Sequence, residues 1–244
     1  MSEQNERWWE FYGVRYAQGA VVGAMLIFLL FSQNDTLKKI LFVPVDPKDF
    51  GISHLILLAV YGLVYCYIAS APVLIMHAAR GLLYKSTTNP APNEGWHWRA
   101  MFVFVPALGG AITYWKIGQP DFVKAAAVGL FVFLVAFQFQ LIYLIFFKAW
   151  KRTIDYYEVI IVKRNRPKNK DFVESYKHIR EHGNSFLIVL FQFLLALPIF
   201  AFVSISKDPT DVVRYLIILV LFWVFPASLI WLFGNKLENH LQNR

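Results

Sequence analysis

The chain is poor in the residues on which soluble proteins and many enzymes depend. Only 16% of its 244 residues are charged, and Cys66 is its single cysteine, so no disulfide can form within the chain. A charged fraction this low, beside 57% hydrophobic residues, excludes an ordinary soluble domain of this size. The scarcity of charge therefore predicts an integral membrane protein.

Aspartate and glutamate are absent from all the long apolar runs of the sequence. Proton-coupled transporters and pumps usually need such groups, and inserting one costs at least about 2.5–3.5 kcal/mol, so they are rarely kept without a use. Their absence argues against an active transporter. The sequence also lacks a phosphate-binding glycine loop, a dinucleotide fingerprint and a paired-carboxylate site. We therefore assign no catalytic residue, no cofactor and no metal ligand.

Apolar runs of helical length account for most of what is present. The clearest extends from Val123 to Phe147 and exceeds the roughly 20 helical residues that cross the hydrocarbon of a bilayer. Five further runs cover residues 13–31, 54–79, 101–115, 185–206 and 215–234, of which the third, with about 15 residues, is short for a crossing. The sequence thus predicts one all-α membrane domain over residues 1–244, with about six transmembrane helices.

A basic segment, residues 148–184, follows the fourth run, and we call it the arm. It holds ten Lys or Arg against five Asp or Glu, and by the positive-inside tendency it lies in the cytoplasm. Six crossings then place both termini in the cytoplasm, with 17 Lys or Arg on the inner side and 7 on the outer. We expect the fourth helix to continue past the membrane to about Val162, and the arm to form a helical hairpin that returns into the fifth crossing.

The arm also carries apolar and basic side chains that need partners. Its apolar residues are Trp150, Tyr156, Tyr157, Ile160 and Ile161. The returning half of the hairpin, a sister subunit and another protein are equally suitable partners for them. The basic residues Lys163, Arg164, Arg166, Lys168 and Lys170 predict contact with lipid headgroups or a partner protein, and with nucleic acid only through a partner.

Polar and small residues inside the apolar runs indicate how the helices associate. Gln138, Gln140, Tyr143 and Gln192 either form hydrogen bonds between helices or line a pore in a homo-oligomer. Gly19 and Gly23 form a GxxxG pair, which lets another helix of the same chain or of a second copy approach closely.

The arm contains two histidines at a spacing that is found in metal sites. His178 and His182 stand four residues apart, a spacing that puts both rings on one helix face. No third ligand is evident and Arg180 lies between them, so we interpret both as solvated histidines. The residues Arg180 to Asn184 are similar to a span entrance in the glutathione-using MAPEG enzymes, but Leu187 stands where that family has a glutamate.

Two short stretches form a recognisable combination: an opening with Arg15, Tyr16, Gly19, Val22, Gly23 and Ala24, and the REHGN sequence of residues 180–184 before an apolar span. Together they resemble the small multipass membrane proteins of bacterial anti-phage defence systems, of the retron-effector or Kiwa kind. The resemblance implies a bacterial inner-membrane effector or sensor, with a cytosolic partner, whose activation perturbs the membrane or signals infection. A small oligomeric channel or carrier, and a MAPEG-like enzyme, are the alternatives.

Overall fold

The computed structural model describes residues 3–44, 46–84, 96–117, 121–164, 166, 170–206 and 208–242. Within these ranges the regular structure is entirely helical. Five helical segments of this described part are long and apolar enough to cross a membrane: Ile52–Leu83, His97–Ile117, Phe122–Lys148, Glu181–Ile205 and Pro209–His240. They fit a multi-pass membrane protein. A further apolar helix, Tyr16–Ser32, is shorter and coincides with most of the first predicted crossing.

The α-helices are α1 (Glu3–Ser32), α2 (Asp35–Leu41), α3 (Ile52–Ala69), α4 (Ala71–Ala78), α5 (Trp96–Ile117), α6 (Phe122–Tyr143), α7 (Trp150–Arg164), α8 (Lys170–Ile205) and α9 (Pro209–Gln242). Two 3₁₀ turns, Pro47–Asp49 and Ala79–Leu83, and a π-helical turn, Leu144–Lys148, complete the described elements.

Local chemistry accounts for several helix boundaries. The Asp121 carboxylate accepts hydrogen bonds from the Val123 and Lys124 amides at 3.0 and 3.2 Å, which satisfies two free donors at the start of α6. Pro72 lies in the first turn of α4, where its missing N–H costs no hydrogen bond. Helix α3 accordingly ends at Ala69 and α4 begins at Ala71, one residue before Pro72.

The centre of the bundle forms around Trp223 of α9, which is completely buried. Its indole N–H donates to the Ala69 carbonyl at 3.2 Å, and its ring stacks on Phe131 with centroids 5.9 Å apart. Phe191 of α8 contacts the same ring edge-on at 6.0 Å. Because Trp223 satisfies its only donor inside the bundle, it can be buried without an orphaned polar group. Helices α3, α6, α8 and α9 therefore meet at one residue.

A second apolar cluster closes the end of the bundle that carries α7, which we call the arm end. It joins α4, α6, the π turn and α9 through Ile75, Ala78, Ile142, Ile145, Ala227, Ile230 and Phe233. Helix α5 packs along α6. At the end opposite the arm end it also reaches α8 through Tyr114, whose hydroxyl donates to the Ala201 carbonyl at 2.8 Å.

The structure changes two expectations about the helices. The third apolar run belongs to a longer helix than its 15 residues suggested: α5 has 22 residues, because Trp96 to Ala100 and Lys116 to Ile117 extend the predicted 101–115 run. The fourth helix does not continue unbroken into the arm. The Ala149 amide donates to the Leu144 carbonyl at 2.8 Å, five residues back, and Ala149 leaves helical geometry with φ −130° and ψ 26° before α7 begins. The wider turn lets Ile145 be fully buried in the arm-end cluster.

Candidate functional site

Gln192 lies at the contact of three helices. It is fully buried in α8, and its Nε2 donates to the Gly19 carbonyl of α1 at 2.9 Å. The Gln192 carbonyl accepts a hydrogen bond from the Tyr65 hydroxyl of α3 at 2.6 Å. Only its Oε1 atom has no hydrogen-bond partner. The side chain therefore joins helices within the chain, the first of the two roles that the sequence offered for it.

Gln138 lies inside the bundle without any such bond. Its side chain is 3% exposed, and neither Oε1 nor Nε2 has a hydrogen-bond partner. It stands ten residues before Lys148, the end of its apolar segment, or about 15 Å at 1.5 Å per residue, which is roughly half the thickness of the hydrocarbon. An unsatisfied buried polar group costs about 1–3 kcal/mol. A side chain retained at that cost is a candidate for function.

The other two polar residues of this set point elsewhere. Gln140 is half-buried. It lies two residues after Gln138, so its side chain points about 200° further around the helix. Tyr143 is 49% exposed, and its ring stacks on Phe147 with centroids 5.5 Å apart on the outer surface. The structure therefore does not bring the four predicted polar side chains to one surface of a single chain.

Gly19 and Gly23 lie where α1 packs against α3. A Cβ on Gly19 would overlap the Cys66 sulfur, and one on Gly23 would overlap the backbone carbonyl of Gly62. Gly62 is equally confined, since its own Cβ would overlap the Ala20 carbonyl. The two backbones touch here, as small residues allow in a membrane. Gly62 was missed from the sequence, where the only signal was a small residue in the predicted second crossing.

Helix α7 is held against the arm end by the 3₁₀ turn Ala79–Leu83. The backbone of Gly81 lies so close to Thr153 that a Cβ on the glycine would stand 2.8 Å from the Thr153 Cα. Arg152 is buried, and its Nε donates to the Tyr84 carbonyl. The Tyr157 hydroxyl donates to the His77 carbonyl at 3.3 Å. These contacts fix α7 to the segment that continues α4.

The same helix is also held by the end of α9. The Trp150 ring meets Phe233 edge-on at 5.6 Å, and the Lys236 ammonium lies 5.5 Å from the centre of the Trp150 ring, within cation–π range. Further along, His240 Nε2 is 3.3 Å from Glu158 Oε1. Helix α7 therefore bridges the ends of two apolar helical segments.

The apolar side chains of the arm consequently have a partner that the sequence did not suggest. Trp150 packs on Phe146 and Phe233, Tyr157 packs on Phe233, and Tyr156 packs on Tyr84. The bundle itself covers them. Ile160 is half-buried, whereas Ile161 is 43% exposed. Residues Gly81, Arg152 and Thr153, which carry much of this contact, were not recognised as functional candidates in the sequence.

The basic patch is described only in part. Lys163 and Arg166 are exposed, beside Val162, which is 56% exposed. Lys168 and the side chains of Arg164 and Lys170 lie outside the described residues. The described part of the patch thus forms an accessible basic and apolar surface at the far end of α7.

The histidines do not meet in a described site. His182 is exposed, and the side chain of His178 lies outside the described residues. His77 Nδ1 is 3.1 Å from Arg80 Nη2 near the arm end. Among the residues that the structure describes, no three His, Cys, Asp or Glu side chains are grouped to hold a metal ion. The stretch Arg180–Asn184 lies in the interior of the long helix α8.

Comparisons with protein-family models, curated proteins and solved structures found no match to this chain. Its function therefore has to be argued from its own residues.

Proposed function

We propose that this chain is a non-enzymatic effector or sensor of the bacterial inner membrane, which acts with a cytosolic partner in anti-phage defence. The observation that carries the proposal is the position of α7. One end of this helix contacts the ends of two apolar segments through Trp150 and Tyr157, and its other end presents Ile161, Val162 and Lys163 to solvent. A protein that binds the exposed end of α7 is therefore linked through this helix to the apolar segments.

The proposed topology has six crossings, with α1 as the first, both termini in the cytoplasm and the arm as a cytoplasmic hairpin. The excess of basic residues in the arm supports this orientation, since lysine and arginine favour the cytoplasmic side. We also propose a homo-oligomer, whose size follows from the mass of the purified protein. A mass equal to one chain in several mild detergents would contradict that part.

The test of the defence function is infection of bacteria that carry the gene with and without its neighbouring genes. We expect protection from phage and loss of membrane potential, reported by a voltage-sensitive dye, only when the chain and its partner are both present. Reversing the charges with Lys163→Glu and Arg166→Glu is expected to abolish partner binding and protection. Lys48→Glu, a reversal at another exposed lysine, is the matched control. Protection that persists in the double reversal, or a membrane potential that never changes, would overturn the proposal.

A passive channel or carrier is the second candidate, and the unsatisfied Gln138 amide favours it. Neutral amides that lack a bond in the closed bundle are suited to contact water when a path opens. Purified protein in vesicles should then conduct without a partner. Gln138→Leu is expected to abolish this flux, whereas Gln140→Leu, on another face of α6, is the matched control and should leave the flux intact. Unchanged flux in Gln138→Leu would remove this candidate.

A further inference from the structure

A small cavity lies beside Gln138, between α4, α6 and α8. Its volume is about 10 Å³, and it is lined by Pro72, Ile75, Met76, Leu134, Phe137, Gln138, Leu141 and Phe191. A space of this size is near the minimum for one water molecule. Seven of the eight lining residues are apolar, and the accessible wall of the cavity is formed by apolar atoms. Gln138 contributes to this wall, while its amide atoms are buried without a hydrogen bond. The cavity and the orphaned amide thus lie side by side at the α4–α6 contact.

Helix α4 connects this point to the arm. Ile75 lines the cavity, and the 3₁₀ turn held by α7 begins at Ala79, four residues or about 6 Å further along. On the other wall, the π turn begins at Leu144, six residues after Gln138, and leads directly into α7. The α4 wall and the α6 wall of the cavity therefore both lead to the docked helix α7.

We propose that docked α7 is an autoinhibitory contact that holds α4 against α6, and that its release opens the Gln138 cavity to water and small ions. This inference rests on the proposed function, for which it supplies the regulation. Binding of the partner to the exposed end of α7 favours the undocked position. The segment Ala79–Leu83 then moves away from α6, and the Gln138 amide gains water as its hydrogen-bond partner.

The character of the docking contacts suits a reversible contact. Arg152 and Tyr157 donate to backbone carbonyls, and Glu158 meets His240 at the partly exposed edge. The docked face of α7 is mixed, because the buried Arg152 and Thr153 lie next to the buried Ile154, so its release does not expose a wholly apolar surface. The hinge is available in the π turn and Ala149, where the backbone already departs from α-helical geometry.

The test uses the purified full-length chain in lipid vesicles and needs no partner. Gly81→Val places a branched side chain against Thr153 and is expected to displace α7, whereas Gly234→Val, at a glycine with no atom within 4 Å of its Cβ position, is the matched control. Docking is measured by a short bismaleimide between Tyr84→Cys and Tyr156→Cys, whose native rings are 5.8 Å apart, in a Cys66→Ala background. Permeability is measured by release of a trapped small-ion indicator.

We expect Gly81→Val to lower the cross-linking yield about fivefold and to raise ion release, and Gly234→Val to change neither. Adding Gln138→Leu to Gly81→Val should suppress the release without restoring the cross-link. If Gly81→Val does not fold, the pair Tyr157→Phe and Glu158→Gln, which changes only arm residues, replaces it with the same expectations.

Three results would overturn the inference: unchanged cross-linking in the variant, undocking without ion release, and ion release that Gln138→Leu leaves intact. These results are separable from failure of the proposed function, because the vesicle experiment contains neither partner nor phage. A permeable Gly81→Val protein with no protection in cells would retain the contact and reject the defence role. Vesicles that stay impermeable, together with full protection in cells, would reject the autoinhibitory contact and retain the defence role.

Discussion

Two buried glutamines show how much a single side chain depends on its immediate neighbours. The Gln192 amide donates a hydrogen bond to the Gly19 carbonyl, whereas neither Oε1 nor Nε2 of Gln138 has a hydrogen-bond partner. A buried amide that is bonded contributes about 0.5–1.5 kcal/mol, and one that is not bonded costs about 1–3 kcal/mol. The same residue type is therefore expected to stabilise the bundle at one position and to weaken it at the other.

Exchange of each glutamine for leucine should reveal this difference. Gln138→Leu is expected to raise the free energy of unfolding by about 1 kcal/mol, because it replaces an unsatisfied amide with an apolar group of similar size. Gln192→Leu is expected to lower it by about 1 kcal/mol, because the hydrogen bond that joins α8 to the Gly19 carbonyl of α1 is lost. Denaturant unfolding in detergent, followed by tryptophan fluorescence, measures both. A destabilised Gln138→Leu protein would contradict the assignment.

The sequence was sufficient to select these residues but not to rank them. Glutamine in an apolar run is recognisable from composition, and both positions were named as helix contacts or pore residues. Which amide finds a carbonyl depends on the packing of α1 against α8, and hydropathy contains no information on that distance. Gly62 was missed for a related reason: its role depends on the α1 backbone opposite, which sequence spacing within α3 cannot reveal.

At the scale of secondary-structure elements, α1 and α3 form a pair whose backbones touch. Gly62→Leu is expected to lower the free energy of unfolding by about 3 kcal/mol or more, because its side chain must push against the Ala20 carbonyl and the Ala24 side chain. Gly109→Leu, at a position with no atom within 4 Å of the Cβ site, should stay within about 0.5 kcal/mol. The same detergent unfolding measures both. Equal effects in the two variants would show that the helices do not meet at Gly62.

The start of α6 gives a prediction for acidic pH. Hydrogen bonds from the Lys124 and Val123 amides and the nearby Lys124 charge lower the pKa of Asp121 below its ordinary value of 3.8. The stabilising charge is therefore fully present above pH 3.8 and is lost as the pH falls through the lower folded-state pKa. Asp121→Asn keeps an acceptor but has no charge to lose.

We expect the unfolding temperature of the wild type to fall more steeply below about pH 4 than that of Asp121→Asn. Asp121→Ala, which also lacks the acceptor, should be the least stable of the three at neutral pH. Thermal unfolding of the three proteins in detergent across this pH range is the measurement. Parallel curves for wild type and Asp121→Asn would contradict a role for the charge.

The sequence predicted the elements well where hydropathy decides them. The apolar segment of α6 followed from a run that only Lys124 interrupts, near its start. The π turn at Leu144–Lys148 lies in an equally apolar run, so nothing in the residue types distinguishes it from an α-helix. The helix that follows the turn, α7, docks on Gly81, Phe233 and other residues far away in sequence, and residue types within the run contain no information on those contacts.

At the scale of the whole molecule, helix α7 and the apolar helical segments form one connected structure within the described residues. The described apolar segments fit a multi-pass membrane protein, as composition had indicated. The orientation in the membrane follows from charge alone and is open to direct measurement. Its outcome matters because the proposed partner is cytosolic, and the exposed end of α7 has to be on the same side.

Cysteine labelling in a Cys66→Ala background measures that orientation. An impermeant maleimide added to intact spheroplasts is expected to label Lys48→Cys and to spare Lys168→Cys, which should react only after the membrane is opened. The physical reason is the retention of basic segments on the cytoplasmic side. A second cysteine placed at Ser2 should behave like the one at position 168. Labelling of Lys168→Cys in intact spheroplasts would show that the topology is the reverse of the proposed one, and the proposal of a cytosolic partner would then fail.

The π turn has one consequence for natural variation of this chain. Each residue of an α-helix rotates the chain by about 100°, so deletion of one residue between Leu144 and Lys148 would regularise the turn and change the angular phase of everything that follows it. Helix α7 would then present a different side to the bundle, although every residue that forms its contacts would still be present. Related proteins that differ in length by one residue at this place are therefore expected to hold their arms in another orientation, however similar their compositions are.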